Sequence, residues 1–366
     1  MKVGHLVGAA RAGVVALLAF AVVGVMPATV QGSSPVPLTV MTQNLYLGAD
    51  LTAAVTAPDV ETFLNAVGEI YQTVLATDFE SRAGAIANEI EAERPGVIGL
   101  QEVTGWAATR LTDGASLLRL DFLAILQSEL EARGLHYDVA SVSENADIGP
   151  LPLRSTNDGC FVVVAQPLQF NCVIELHDRD VILIDRDTAG LKASNPDDGN
   201  FVTQLRLPVL GQLLSFDRGW ASVDVKYRGM TVRVVTTHLE VASFAAVQVA
   251  QAQELLSGPL SSSVPIIALG DFNSAADGST TDSYELLIGA GLNDAWSGQG
   301  DPGYTCCQNG TLTNEESLLS ERIDLILSRG TGPAVEAHLV NDDAFQDQQP
   351  LWPSDHAGVV AAFRIT

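Results

Sequence analysis

"IIALGDFN", residues 266–273, runs two isoleucines, an alanine and a leucine into Gly270, then presents Asp271 and Asn273 with Phe272 between them. Four apolar residues in succession before a glycine read as a strand buried on both faces. "LTVMTQN" (38–44), "VIGLQE" (97–102) and "MTVRVVTTHLE" (230–240) have the same make-up. "FESRAGAIANEIEAE" (79–93) instead puts Ala83, Ile86, Ala87 and Ile90 on one helical face, and Pro95 and Gly96 stop it. Helical spacing returns at 118–134 and 244–257, and further strands are expected at 137–142, 161–165, 180–184, 220–226, 322–328 and 357–364. The hairpin over 222–238, turning at Arg228–Gly229, requires antiparallel pairing. Residues 143–219, rich in Asn, Asp, Pro and Gly, read as hairpins and loops within the same domain. The expected class is mixed α/β, with helices covering the outer faces of the sheets.

Several of these strands end in groups that a buried strand accommodates only at a cost. Asn44 closes the first, Gln101 and Glu102 the second, His238 and Glu240 follow "VVTT", and Asp271 and Asn273 follow "IIALG". Asp324 lies inside "RIDLIL", and Asp355 and His356 directly precede the last strand. Ionisable groups in such places are desolvated unless they are paired or bind a cation. One of them is unremarkable in any protein. A set gathered at the same end of a sheet makes an active site. Within "GDFN", strand alternation is expected to put Asp271 and Asn273 on one face and Phe272 in the core.

The chain has 366 residues and 47% hydrophobic content, ample for a sizeable core. Lys2 and Arg11 precede an uncharged run, Ala12 to Met26, and small or polar residues follow through Gly32. A positive start, a short apolar core and a small-residue exit describe a secretory signal peptide, here residues 1–32. The apolar run is shorter than the roughly 20 residues a spanning helix needs. Residues 33–366 are then expected to form a single exported domain, a monomer with no stable membrane anchor. The formal charge is −25, with 19 basic against 44 acidic residues. Such a balance repels polyanions at long range and excludes a broad basic surface for gripping nucleic acid, though not catalysis on one phosphate. Cys160 and Cys172 flank "FVVVAQPLQFN" and are expected to bridge that hairpin, since export permits disulfides. The adjacent Cys306 and Cys307 leave their pairing open, and no cysteine has zinc-site spacing with a histidine.

The ordered set Asn44, "LQEV" (100–103), "THLE" (237–240), "GDFNS" (270–274), "RIDLI" (322–326) and "SDHAGV" (354–359) resembles the endonuclease/exonuclease/phosphatase superfamily, the deoxyribonuclease I-like group. The resemblance runs from about residue 38 to 364. It implies a four-layer α/β/β/α sandwich with two central mixed sheets. It also implies a divalent-metal-dependent hydrolase of phosphoric esters, of a secreted bacterial type, with Mg²⁺ the first expectation and Ca²⁺ or Mn²⁺ as alternatives.

Glu102 offers the hard carboxylate such ions prefer and matches the family's metal-binding glutamate. Asn44 supports the metal shell, and Asp355 is expected to join it. Asp271 aligns or deprotonates the attacking water, while Asn273 donates to the phosphoryl oxygens as charge accumulates. His356 is the acid/base candidate because imidazole titrates nearest neutrality, with Asp324 as the carboxylate that orients it. His238 matches the second family histidine, which contacts the phosphate or protonates the leaving group. No counterpart of the glutamate that partners this histidine in nuclease members is evident. The substrate classes are nucleic acid, a phospholipid or sphingomyelin head group, and a small phosphomonoester. "LRLPVLGQLLSF" (205–216) reads as an interfacial loop or a buried hairpin. Outside catalysis, the same fold serves a secreted binding protein or toxin subunit.

Overall fold

Side-chain alternation along the strands decides how the layers stack. Ile267 and Leu269 enter one buried cluster together with Val40, Val97, Val223, Val234 and Val359. Their neighbours Ile266 and Ala268 enter another, with Ala252, Leu255 and Leu287. A strand apolar on both faces is therefore covered on both, once by a second sheet and once by helices. In the computed structural model, which describes residues 36–346 and 350–365, this produces four layers. The expected signal peptide lies outside the described residues.

One sheet has eight strands. Its order is Ala334–Val340, Gly358–Phe363, Leu38–Asn44, Val97–Gln101, Cys172–Asp185, Gly105–Arg110 and Ala115–Asp121, with Tyr137–Pro152 also paired to Cys172–Asp185. The other has six: Asn293–Asp294, Asp324–Arg329, Ile266–Asp271, Met230–His238, Gly219–Tyr227 and Leu191–Asn200. Both sheets are mixed. Leu38–Asn44 runs parallel to Val97–Gln101, and Met230–His238 parallel to Ile266–Asp271, while most other pairs are antiparallel. Helices Val60–Ala76, Phe79–Glu93 and Phe122–Ala132 cover the first sheet, and Ala245–Ser257 with Ser283–Gly289 covers the second.

Close approach of the two sheets depends on Gly99. A Cβ there would collide with Leu269 and Thr236 of the facing sheet. Polar bridges accompany that approach: Thr42 Oγ1 donates to Gln101 Oε1, and Gln101 Nε2 donates to Thr236 Oγ1 at 2.8 Å.

Three sequence expectations change. The helix expected over 118–134 begins only at Phe122, because Asp121 ends a strand and its carboxylate caps the helix through Leu123 N and Ala124 N. The strand expected over 161–165 shrinks to Val162–Val163, paired to Gln169–Phe170 beneath the Cys160–Cys172 disulfide, whose Cα atoms are 5.5 Å apart. Residues 143–219 hold long ladders, Tyr137–Pro152, Cys172–Asp185 and Leu191–Asn200, together with the small hairpin Leu205–Val209/Gln212–Phe216. Cys306 and Cys307 pair with each other.

Candidate active site

The parallel pair Met230–His238 and Ile266–Asp271 places His238 opposite Asp271, and the antiparallel strand Asp324–Arg329 places Asp324 opposite Asp271 on the other side. Three adjacent strands of one sheet therefore present His238, Asp271 and Asp324 in one row. The facing sheet brings Asn44 and Glu102 from the ends of its own parallel pair, and Asp355 and His356 enter just before its strand Gly358–Phe363. Asn44 joins the two sheets, donating to Asp271 Oδ2 at 3.1 Å and to Glu102 Oε1 at 3.3 Å. Glu102, His238, Asp271, Asn273, Asp355 and His356 line one cleft of about 520 Å³. Asn44 and Asp324 are buried beside it.

Backbone geometry tightens the arrangement. Glu102 and Asn273 both have left-handed backbone, φ 54° and 50°, a conformation that side chains other than glycine adopt at a cost and that collects at functional sites. The extended segment expected through Asn273 thus stops at Asp271. The two side chains meet through a turn in which Asn273 N donates to Asp271 Oδ1 at 2.9 Å. Phe272 is fully buried among the helix-facing residues. Gly270 has φ 148°, and a Cβ at that position would strike the Thr237 carbonyl, so only glycine carries the strand to this exit.

The surroundings of the two histidines move their pKa values in opposite directions. His356 Nδ1 lies 2.7 Å from Asp324 Oδ2, and its Nε2 lies 3.9 Å from both Asp271 Oδ2 and Asp355 Oδ1. Burial opposes its charge, but Asp324, Asp355 and Asp271 together hold its pKa well above the usual imidazole value. His238 is buried too, and Arg218 donates to its Nδ1 at 2.8 Å. Arginine can only donate, so Nδ1 is the acceptor, and Nε2 on the other side of the ring lies 3.1 Å from Asn273 Nδ2 and 3.4 Å from Asp271 Oδ2. Burial, then Arg218 and His356, push the His238 pKa well below the usual value. Arg218 escapes a reading of the sequence because it stands outside the strand ends, in "FDRGW". It enters where the glutamate partner of the second histidine was sought, and with the opposite charge.

The carboxylates signal surplus negative charge. Burial and then Asp324 push Asp271 up to about 7. Asp355 also stands at about 7, raised by burial, Glu102 and Asp324 against His356 and Arg82. Glu102 is raised by burial and Asp178. One oxygen of Asp324 is buried with no partner. A donor set of this kind suits a hard divalent cation, for which Glu102, held by Asn44, and Asp355 are the candidate oxygen ligands. Asn44 Oδ1 already accepts from Tyr46 N at 2.9 Å, so the amide acts chiefly through its carboxylate neighbours. Asp271, Asp324 and His356 also offer ligand atoms within 4.8 Å of one another. Cys307 Sγ, bonded to Cys306, approaches the same His356 Nε2 at 3.9 Å.

His136, His177 and His338 make pairs with Asp187, Glu144 and Glu93 away from the cleft. Behind Glu102, Asp178 and Asp180 are buried and raised, chiefly by desolvation, and Thr104 Oγ1 donates to Asp178.

Solved structures with the same fold are numerous. An endonuclease/exonuclease/phosphatase family protein from Leptotrichia buccalis superposes with TM-score 0.55 at 16% identity, covering 89% of this chain and 99% of its own. The Bacteroides thetaiotaomicron mannosyl-6-phosphatase Bt3783 gives 0.53 at 15%, with 89% and 99% covered. D. rerio TDP2 complexed with a single strand DNA product gives 0.52 at 14%, with 90% and 99% covered. No curated protein sequence matches. The family model for the Endonuclease/Exonuclease/phosphatase family matches residues 41–356, so the chain belongs to that family of metal-dependent hydrolases of phosphoester bonds.

Proposed function

We propose that the protein is a divalent-metal-dependent phosphodiesterase that hydrolyses its substrate by direct attack of water. The observation that carries this reading is the row His238, Asp271, Asp324 on one sheet end, closed by His356 and the Arg218 guanidinium. Asp271, with its carboxyl near 7, is poised to take a proton from water at neutral pH. Asn273, beside His238, donates to the phosphoryl oxygens as negative charge develops. His356, held cationic by Asp324, supplies charge and a transferable proton on the same floor. Glu102 and Asp355 would hold a divalent cation, which would supply charge neutralisation for the reaction.

The leader pattern and the Cys160–Cys172 bridge support export of a single domain, and no helix among the described residues is long and apolar enough to cross a membrane. The test is hydrolysis of bis(p-nitrophenyl) phosphate and p-nitrophenyl phosphate with Mg²⁺, Mn²⁺ or Ca²⁺ and with EDTA. Faster turnover of the diester is expected, abolished by EDTA and by His356→Ala. Equal rates for wild type and His356→Ala would sink the catalytic reading and leave a binding protein.

A further inference from the structure

One wall of the catalytic cleft is built from groups that do no phosphoryl chemistry. Leu51, Val55, Leu205, Leu207, Phe216 and Phe244 line it within the same cavity as His238 and Asp271. Three of these, Leu51, Val55 and Phe216, also line a second cavity of about 50 Å³. Apart from Glu175, the residues around that second space are apolar, among them Val67, Ile70, Trp106 and Ile174. Apolar surface therefore continues from the reacting groups into the layer between helix Val60–Ala76 and the first sheet. Unfilled apolar space in a packed interior is destabilising, and hydrocarbon entering it regains the lost contacts. The inner space is on the order of two water volumes, room for the end of a chain, with the remainder lying along the cleft wall.

The charges in the cleft narrow the other half of the ligand. Arg218 is the one guanidinium or ammonium among the lining residues, against Asp50, Glu102, Glu240, Asp271 and Asp355. A single phosphoryl group finds a cation there. A polyanion, whose phosphates come in series, finds no second guanidinium or ammonium among the lining residues.

We infer that the substrate is an amphiphilic phosphoester whose phosphoryl group sits at Arg218, His238 and Asn273. Its aliphatic chain passes over Leu51, Val55 and Phe216, with the chain end in the inner cavity. This rests on the phosphoesterase reading above and adds the substrate class.

The test uses the full chain and dispersed, submicellar ligands. Turnover is measured for methyl, butyl and octyl p-nitrophenyl phosphates, and affinity for methyl, butyl and octyl phosphates by calorimetry. Both are expected to rise about three- to fourfold per methylene buried and then level off. Val67→Phe, which fills the inner cavity, and Val55→Trp, which blocks its mouth, should each lower the octyl-to-methyl ratio tenfold or more.

Turnover with no chain-length dependence in either measurement overturns the inference and leaves the hydrolase. Chain-dependent affinity without turnover overturns the hydrolase and, with it, the substrate claim, leaving only the apolar binding site. A preference seen only on phosphatidylcholine vesicles, or DNA turning over faster than the octyl ester, also overturns it. So does an octyl-to-methyl ratio that both variants leave unchanged.

Discussion

Arg218 and Asp324 each touch one imidazole, and the two pKa values move in opposite directions, downward at His238 through burial and Arg218 and upward at His356 through Asp324 and its neighbouring carboxylates. Replacing Asp324 by Asn keeps the shape of the 2.7 Å contact with His356 but removes the charge that favours its cation. The expected result is a loss of kcat/KM of about 10²-fold or more, within the range of general acid–base contributions. The alkaline limb of the pH–rate profile should also move to lower pH, because the imidazolium now loses its proton earlier. A profile that drops in height without shifting would make Asp324 a purely structural residue. Arg218→Met tests the other ring. It removes the donor on His238 Nδ1 and a positive neighbour, so His238 should move back up toward the ordinary imidazole range. Histidine NMR titrations should show a new ionisation nearer neutrality in the variant. In the wild type that ring should stay neutral well below it.

At the scale of elements, the site depends on loops that secondary structure alone does not hold. Arg82, fully buried in helix Phe79–Glu93, donates to the carbonyls of Leu45, Tyr46, Thr77 and Pro353. Its guanidinium ties the helix to the segment after Asn44 and to the one before Asp355. A lysine cannot reach four carbonyls in these directions. Arg82→Lys should therefore destabilise the fold by about 2 kcal/mol or more, read by urea denaturation, through buried carbonyls left without donors. It should also weaken divalent-ion binding, read by calorimetry; unchanged binding would separate the clamp from the site.

This clamp was not legible in the sequence, where Arg82 is one charge in an amphipathic helix. The strand ends were legible, because a carboxylate or imidazole after four or five apolar residues conflicts with burial unless it has a task. The long strands between 137 and 200 were obscured for two reasons. Tyr137–Pro152 carries register shifts at Val139/Ser141, Glu144/Asp147 and Ile148/Leu151, which break the two-residue period. Leu191–Asn200 lies at a sheet edge, where polar and charged residues protect an unpaired side and no apolar pattern is required. Arg218 belongs to no motif, and its task appears only when the hairpin Gly219–Tyr227/Met230–His238 closes and brings it beside His238.

For the whole molecule, charge is the dominant property, and the site concentrates it. The chain carries a formal −25, and its buried carboxylates at the cleft hold protons that exposed ones would have lost. That gives a signed expectation for the metal-free protein. Asp271 and Asp355 stand at about 7 when folded against 3.8 as the reference value, so between those pH values the folded chain binds protons that the unfolded chain has released. Stability then falls as pH rises through that window. His356, raised above 6.5, acts in the same direction, since its stabilisation is complete below 6.5 and fades as pH passes its folded value. Each group contributes at most ~1.4 kcal/mol per pH unit. In EDTA, the Tm measured by scanning calorimetry should therefore decrease from pH 5 to pH 8. A Tm that is flat or rising over that range would show that these groups are not held as the geometry indicates. With saturating Mn²⁺ or Mg²⁺ the decrease should shrink or reverse, because a divalent cation takes over the role of the displaced protons and binds more tightly as they leave.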